Sequence, residues 1–310
     1  MSVKVAYIAG LPRSGSTILA NLIGQLPGCF YGGELHHFWG RGVLENRTCG
    51  CGAPFHECPI WSDVWASVVE HRGEIDLTSM RRIKSKHMRT RQMASLVARK
   101  RAASTLQPAA LHDYRENVQA LYRAIHDRIE GDIIVDSSKS PAYAYLLADV
   151  PDLDVYVIHL VRDPRANSYV WLRRHGRSDG TRGGLISRSI IWDVWHVACE
   201  LLWREQPTRY LRVSYESFIA APRSTLDRIS AFLEKPKPDG SLFSAPNRAV
   251  LLGNHAFSAN RNRLVTGEVD LVPDLEWKSC MRARDRALVT ALTLPLLHRY
   301  GYGVLTGGRA

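Results

Sequence analysis

A chain of 310 residues with 45% hydrophobic composition can build one large α/β domain, or such a domain carrying a sizeable insertion. No apolar run approaches the roughly 18 residues of a membrane-spanning helix, Met1-Ser2-Val3-Lys4 does not open a secretory leader, and six cysteines in so large a chain are no disulfide framework, so a cytoplasmic, reducing setting is expected. The net charge of +11 points to anionic ligands or an acidic surface, without choosing among nucleotide, nucleic acid and membrane.

Val3 to Ala9 is short, apolar and β-branched, and a glycine ends it, which predicts a buried strand. Apolar residues then recur at Ile18, Leu19, Leu22, Ile23 and Leu26, a helical spacing that Pro27-Gly28 stops. A short strand is expected at Cys29 to Tyr31, and residues 40–130 read as a cysteine-rich loop followed by weakly periodic helices. Further strands are expected at Ile133 to Val135, Leu153 to Val161 and Arg209 to Val213. Helices are expected after Asp163-Pro164, up to about Leu233, and over Met281 to Arg299, with Pro236 to Pro246 as loop. Strands alternating with helices predict an α/β fold: a P-loop-like parallel sheet flanked by helices, in one domain over 1–310, with a largely helical insertion at about 40–130.

The first strand runs into Gly10-Leu11-Pro12-Arg13-Ser14-Gly15-Ser16-Thr17 and then a helix. In such a loop the backbone N–H groups and the positive end of the helix dipole favour a phosphate. The spacing nearly fits G-x-x-x-x-G-K-[ST], but Ser16 stands where the lysine of an ATP site belongs, and Arg13 supplies the charge instead. Arg162 ends the long strand in His159-Leu160-Val161-Arg162-Asp163-Pro164 and starts a helix, a placement suited to a second phosphate. Glu34 follows Gly32-Gly33, glycines that let backbone pass close to a ligand, and His36 and His37 come directly after it. Lys139 ends Val135-Asp136-Ser137-Ser138-Lys139 at the same sheet edge, where an ammonium can act as a point charge.

These residues resemble the 3′-phosphoadenosine 5′-phosphosulfate (PAPS)-dependent sulfotransferases, notably the bacterial and protein-tyrosine branches. The resemblance starts at Pro12-Arg13-Ser14-Gly15-Ser16-Thr17, which is similar to the family's 5′-phosphosulfate loop. It implies that Arg13, Ser14, Gly15, Ser16 and Thr17 hold the donor's 5′-phosphate and that Arg162 holds the 3′-phosphate. The family's serine eight residues after that arginine falls on Val170 here, and Ser168 or Asn167 is the substitute. Glu34 has the family's spacing from the loop arginine for the general base; other branches use histidine, which keeps His36 and His37 as rivals. Lys139 resembles the lysine that stabilises charge on the sulfonate and leaving oxygen. Tyr215-Glu216 resembles the family's Tyr-Glu pair, Trp277-Lys278 continues the likeness, and His255 to Arg263 resembles a loop folding over the nucleotide, with Arg263 on the 3′-phosphate. The acceptor implied is a hydroxyl of a small molecule, glycan or lipid, and sulfonate transfer requires no metal.

Two stretches stay outside that pattern. Cys49, Cys51, His56 and Cys58 fall within ten residues and include ligand types zinc uses, yet the paired C-x-x-C spacing is missing and no metal is assigned. From Leu77 to His112 there is no acidic residue, but nine Lys or Arg lie between Arg81 and Arg101. That run suits a solvated helix face, a cationic lid, or contact with an anionic membrane surface. It lacks the interleaved aromatics of a nucleic-acid site, so no nucleic-acid partner is expected. Two readings compete with sulfonate transfer: a P-loop phosphotransferase, which Ser16 disfavours, and a catalytically silent nucleotide-binding protein.

Overall fold

The computed structural model describes residues 2–101, 111–175 and 181–303; residues 102–110 of the expected insertion lie outside them. In chain order come β1 (Val3–Gly10), α1 (Ser16–Gly24) and β2 (Cys29–Gly33). A π-helical turn (Phe38–Leu44) leads to α2 (Pro59–Arg72), α3 (Leu77–His87), α4 (Met93–Arg101) and α5 (His112–Arg128). Then follow β3 (Ile133–Lys139), α6 (Pro141–Leu147), β4 (Leu153–Val161), α7 (Pro164–His175) and α8 (Thr181–Trp203). The last third holds β5 (Tyr210–Ser214), α9 (Tyr215–Ala220), α10 (Pro222–Phe232), β6 (Phe243–Ala245), β7 (Arg248–Leu251), β8 (Gly267–Asp270), α11 (Glu276–Cys280) and α12 (Ala283–Arg299).

The first five strands form a parallel sheet in the order β2-β3-β1-β4-β5. Alternation along β1 divides the core between the two faces. Val5 and Tyr7 point toward Trp61, Val64, Tyr114 and Tyr122 of α2 and α5, while Ala6 and Ile8 point toward Leu19, Leu22, Phe218 and Ile229 of α1, α9 and α10. Because helices cover both faces, β1 and β4 are apolar almost throughout rather than alternating, which is why the sequence shows them so plainly.

Both pairings of β3 are irregular at its carboxyl end. Tyr7 opposes Asp136, but Ala9 opposes Lys139, and on the other side Tyr31 and Gly33 oppose Val135 and Asp136. Such bulges re-aim side chains beside functional sites; here one carries Lys139 out at the edge with a positive φ of 70°.

One expectation changes. The stretch 236–246 is not all loop: residues 243–245 form β6, which joins β7 and β8 in a small antiparallel sheet. Only Phe243, Ala249 and Leu251 of this sheet contribute buried apolar side chains to the main core, so its sequence signal is weak. The weakly periodic region resolves into α2 to α5, and the stretch after α7 holds α8, a helix of 23 residues. No helix among the described residues is long and apolar enough to cross a membrane.

Gly10 has φ 143°, and a Cβ there would collide with the Leu160 carbonyl oxygen of neighbouring β4. Gly10→Ala should therefore destabilise the chain by at least about 2 kcal/mol, since a strained φ alone costs of order 1–3 kcal/mol. A urea midpoint unchanged from wild type would show that the strand edge relaxes freely.

Candidate active site

The carboxyl ends of β1, β2, β3 and β4 open onto one cleft of about 1260 Å³. Its floor is the loop after β1. Gly15 is the N-cap of α1 in the left-handed region (φ 83°), and no side chain caps the helix, which leaves the first amides of α1 available to an anion. A Cβ on Gly15 would come within 2.7 Å of the Tyr215 ring, so glycine there lets Tyr215 lie against the loop. Arg13, at φ 75°, also adopts the left-handed region. Arg13, Gly15, Ser16 and Thr17 line the cleft. Ser14 does not: it is 1% exposed, and its hydroxyl lies 3.4 Å from the Asn167 amide nitrogen.

Arg162 reaches the same floor from β4. Its guanidinium donates to the Arg13 carbonyl at 2.8 Å and to Asp274 at 2.8 Å, and stacks 4.4 Å from the centre of the Tyr215 ring. Asp274 therefore stands where an anionic ligand would be the alternative partner. Asp163, next to it in the chain, pairs with Arg165.

Glu34 and Lys139 meet on the cleft wall, at the ends of neighbouring β2 and β3. Lys139 donates to Glu34 at 2.6 Å and to the Ser137 carbonyl at 2.8 Å. The position of Glu34 is set by backbone. Gly33 has φ 92°, a Cβ on it would collide with Phe257, and the Glu34 N–H donates to the Phe257 carbonyl at 3.1 Å. Asp136 fixes the following turn: it accepts from the backbone of Leu35 at 3.3 Å and Ser138 at 2.8 Å, and from the Tyr122 hydroxyl at 2.6 Å. Burial pushes its carboxyl up to about 6.

The His36 and His37 rings lie 3.8 Å apart between centres, tilted by 40°. Burial, with Lys84 and neighbouring cations, pushes His37 down to about 2 and His36 well below the ordinary histidine range, so both rings are neutral. Protonated Lys84, which has only donors, approaches His37 Nδ1 at 2.8 Å. That assigns the His37 proton to Nε2, which faces Glu34 at 3.6 Å. Beyond these residues, Arg81, Lys84, Met88 and Arg89 form a second, cationic pole of the cleft on and after α3.

Three further sequence assignments are not matched by this geometry. Ser168 is 2% exposed and does not line the cleft, whereas Val170 does; the position eight residues after Arg162 keeps its place on α7 but carries no hydroxyl. Arg263 turns inward, donating to the carbonyls of Ala259 at 2.9 Å and Thr48 at 2.8 Å, and it is Arg261 that lines the cleft. Tyr215 lies on the cleft, but Glu216 accepts from the Asp163 backbone at 3.0 Å and from Tyr302 at 2.8 Å, a structural role.

Sequence reasoning missed Arg188 of α8. It donates to the Pro12 carbonyl at 3.0 Å and to Asn167 at 2.9 Å, and Asn167 itself donates to Pro12 at 2.9 Å. Together they brace the phosphate-type loop from behind. Burial and the adjacent Arg13 push Arg188 down to about 10. No local motif marks Arg188; only the packing of α8 against α7 brings it there.

A sequence profile described as "Sulfotransferase family" matches residues 6–239. None of the curated proteins matches the chain. Among solved structures, the chain is similar to the sulfotransferase domain of the Synechococcus PCC 7002 olefin synthase: 21% identity, 97% of this chain and 95% of that one covered, TM-score 0.55. It is also similar to the sulfotransferase domain from the curacin biosynthetic pathway: 17% identity, 97% and 98% covered, TM-score 0.52. Both likenesses support the parallel-sheet fold.

The cationic pole makes a measurable claim. Burial, then Arg41, push the Lys84 ammonium down to about 7, while Glu34 pulls it up. Lys84 should therefore be half neutral near pH 7, where lysines in the ordinary range are almost wholly protonated. Competitive acetylation read by peptide mass spectrometry should find it the most reactive lysine at neutral pH. Glu34→Gln should move its midpoint lower, because a carboxylate that favours the charged form is gone. A midpoint near 10 would refute the burial argument.

Proposed function

The chain belongs to the sulfotransferase family, and on that premise we propose that it transfers the sulfonate of PAPS to a hydroxyl of a small-molecule, sugar or lipid acceptor. The observation that carries this reading is the Glu34–Lys139 pair, set between an uncapped phosphate-type loop and a separate cationic pole. In the proposed arrangement the loop amides, Arg13, Ser16 and Thr17 take the 5′-phosphosulfate. Arg162, over Tyr215, takes the 3′-phosphate in place of Asp274, with Arg261 nearby. The α3 side, within the 40–130 insertion, shapes the acceptor site.

Chemistry then follows from charge. The acceptor hydroxyl attacks sulfur as its proton passes to Glu34; the bond from sulfur to the bridging phosphate oxygen breaks, and that oxygen leaves with the electron pair on 3′-phosphoadenosine 5′-phosphate. Lys139 meets the charge growing on the bridging and sulfonate oxygens. Donor and carboxylate thus share one ammonium, and as Lys139 turns to the sulfonate, Glu34 is left free to accept a proton. Neither histidine suits the base role as well. With His37 held near 2, its imidazole binds a proton too weakly at neutral pH, and His36 is buried and pushed the same way. A magnesium-dependent phosphotransferase fits the residues less well, because Ser16 replaces the lysine and the carboxylates Glu34 and Asp274 are already paired with cations.

Two measurements test this reading. The chain should bind 3′-phosphoadenosine 5′-phosphate about 10- to 150-fold more tightly than AMP, the worth of one charge-assisted contact of about 1.5–3 kcal/mol. Equal affinities, or tighter binding of magnesium–ATP than of PAPS, would count against the assigned donor. Glu34→Gln should leave donor affinity near normal and lower turnover by about 10²- to 10⁴-fold, while His37→Gln should retain most activity. The reverse pattern would place the base on the histidine.

A further inference from the structure

Away from the cleft, four soft ligand atoms converge. The sulfurs of Cys49, Cys51 and Cys58 and one ring nitrogen of His255 all lie within 4.8 Å of one another. The Cys49 and Cys58 sulfurs are 3.6 Å apart, and His255 Nδ1 is 3.9 Å from the first and 3.2 Å from the second. A tetrahedral zinc with Zn–S of about 2.3 Å and Zn–N of about 2.0–2.1 Å requires S···S edges of roughly 3.8 Å and S···N edges of roughly 3.6 Å. The two S···N separations bracket the S···N value and the S···S separation lies close to the S···S value, with no carboxylate in the group.

We propose that Cys49, Cys51, Cys58 and His255 hold a structural zinc ion, a closed Cys3His site that fastens the turn at 48–58 to the loop between β7 and β8. The histidine that the local spacing offered is not the fourth ligand: His56 has its Nε2 2.8 Å from the Val43 carbonyl oxygen. His255 comes from nearly two hundred residues away. With four protein donors there is no open coordination position, and none of the four residues lines the cleft, so the ion is structural and separate from the sulfonate chemistry.

The surroundings are shaped for such a site. Thr48 bridges Pro54, the Cys49 N–H donates to the Ala53 carbonyl at 2.8 Å, and Gly52 turns the chain at φ 92°, which makes a tight knuckle out of Cys49 to Ala53. A Cβ on Gly50 would collide with Asn254, so glycine there lets the knuckle lie against the residue preceding His255. Cys58 sits at the N-cap of α2, where the helix's uncapped first amides favour a thiolate. The Trp61 indole donates to the His255 carbonyl at 2.7 Å, which orients the ligand from its backbone side.

The site also explains why this fastening matters. Phe257, two residues past His255, donates to the Gly32 carbonyl at 3.3 Å and accepts from Glu34 at 3.1 Å, and Ser258 accepts from Arg41 at 3.0 Å. The metal would hold in register the loop that positions Glu34.

The test is elemental analysis of the full chain, purified without chelator and without a metal-affinity column. About one zinc per chain is expected, retained in Cys280→Ser and lost from Cys51→Ser and His255→Ala. Cobalt exchange should produce the visible absorption of a tetrahedral thiolate complex in wild type and not in Cys51→Ser, and a strong chelator should lower the melting temperature of wild type and not of Cys51→Ser. Cys51 is exposed, so its serine variant is the one expected to fold if others fail. Metal-free wild-type protein with reactive native thiols, a Cys49–Cys58 disulfide on peptide mapping, or full zinc content in His255→Ala would each overturn the proposal.

Discussion

The ion pair between Lys139 and Glu34 is the contact on which the cleft depends. Both partners are largely withdrawn from water, their side chains only 8% and 15% exposed. An unpartnered charge at such a place is costly, so the two side chains are held together. Geometry follows from that need. Lys139 reaches the pair only because β3 bulges and its last residue takes a positive φ, and Glu34 reaches it only because Gly33 lets the chain pass against Phe257. A carboxylate and an ammonium are thereby presented side by side at the edge of a parallel sheet, where ligands of such sheets bind.

Around this pair the cleft carries nine Lys or Arg side chains against four Asp or Glu. So many cations repel one another unless something neutralises them. The fold uses three devices. Arg162 is paired with Asp274; Arg41, already near Glu34 at 3.9 Å, is spent partly on Ser258; and Lys84 gives up its proton readily. Each is a weaker partner than a phosphate or sulfonate, with which arginine makes two parallel charge-assisted bonds. The arrangement reads as a site whose charge is provisionally balanced by the protein.

The sheet was legible from the sequence because its strands are buried on both faces: a continuous apolar run such as Leu153–Val161 has few other interpretations, and its bounds match the structure. Arg13, Glu34, Lys139 and Arg162 line one cleft for a related reason, since each sits at or just past the carboxyl end of a parallel strand, and such ends share one edge. What local spacing could not reveal was where side chains turn. Arg263 and Arg261 are two apart in a loop, and only the Thr48 and Ala259 carbonyls decide that Arg263 points in. Ser168 and Val170 differ by more than half a turn on a helix, so the hydroxyl nearest in sequence lies on the wrong face. Arg188 and His255 owe their places to contacts across 176 and 197 residues, a relation that no window along one chain displays.

Lys84 links these threads. Its proton is held weakly because burial and the charges of Arg41 and Arg81 oppose it, while Glu34 and Asp136 favour it. An anion entering the cleft adds to the favourable side, so near neutral pH the anion and a proton are taken up together. The same proton decides the contact with His37: a protonated Lys84 donates to Nδ1 and keeps the Nε2 proton turned toward Glu34. Removing it takes a positive charge from this pole of the cleft and loosens the tautomer that faces Glu34. Anion affinity at this pole and the environment of Glu34 therefore share one titrating group, supplied by α3, an element whose sequence shows only a run of basic residues.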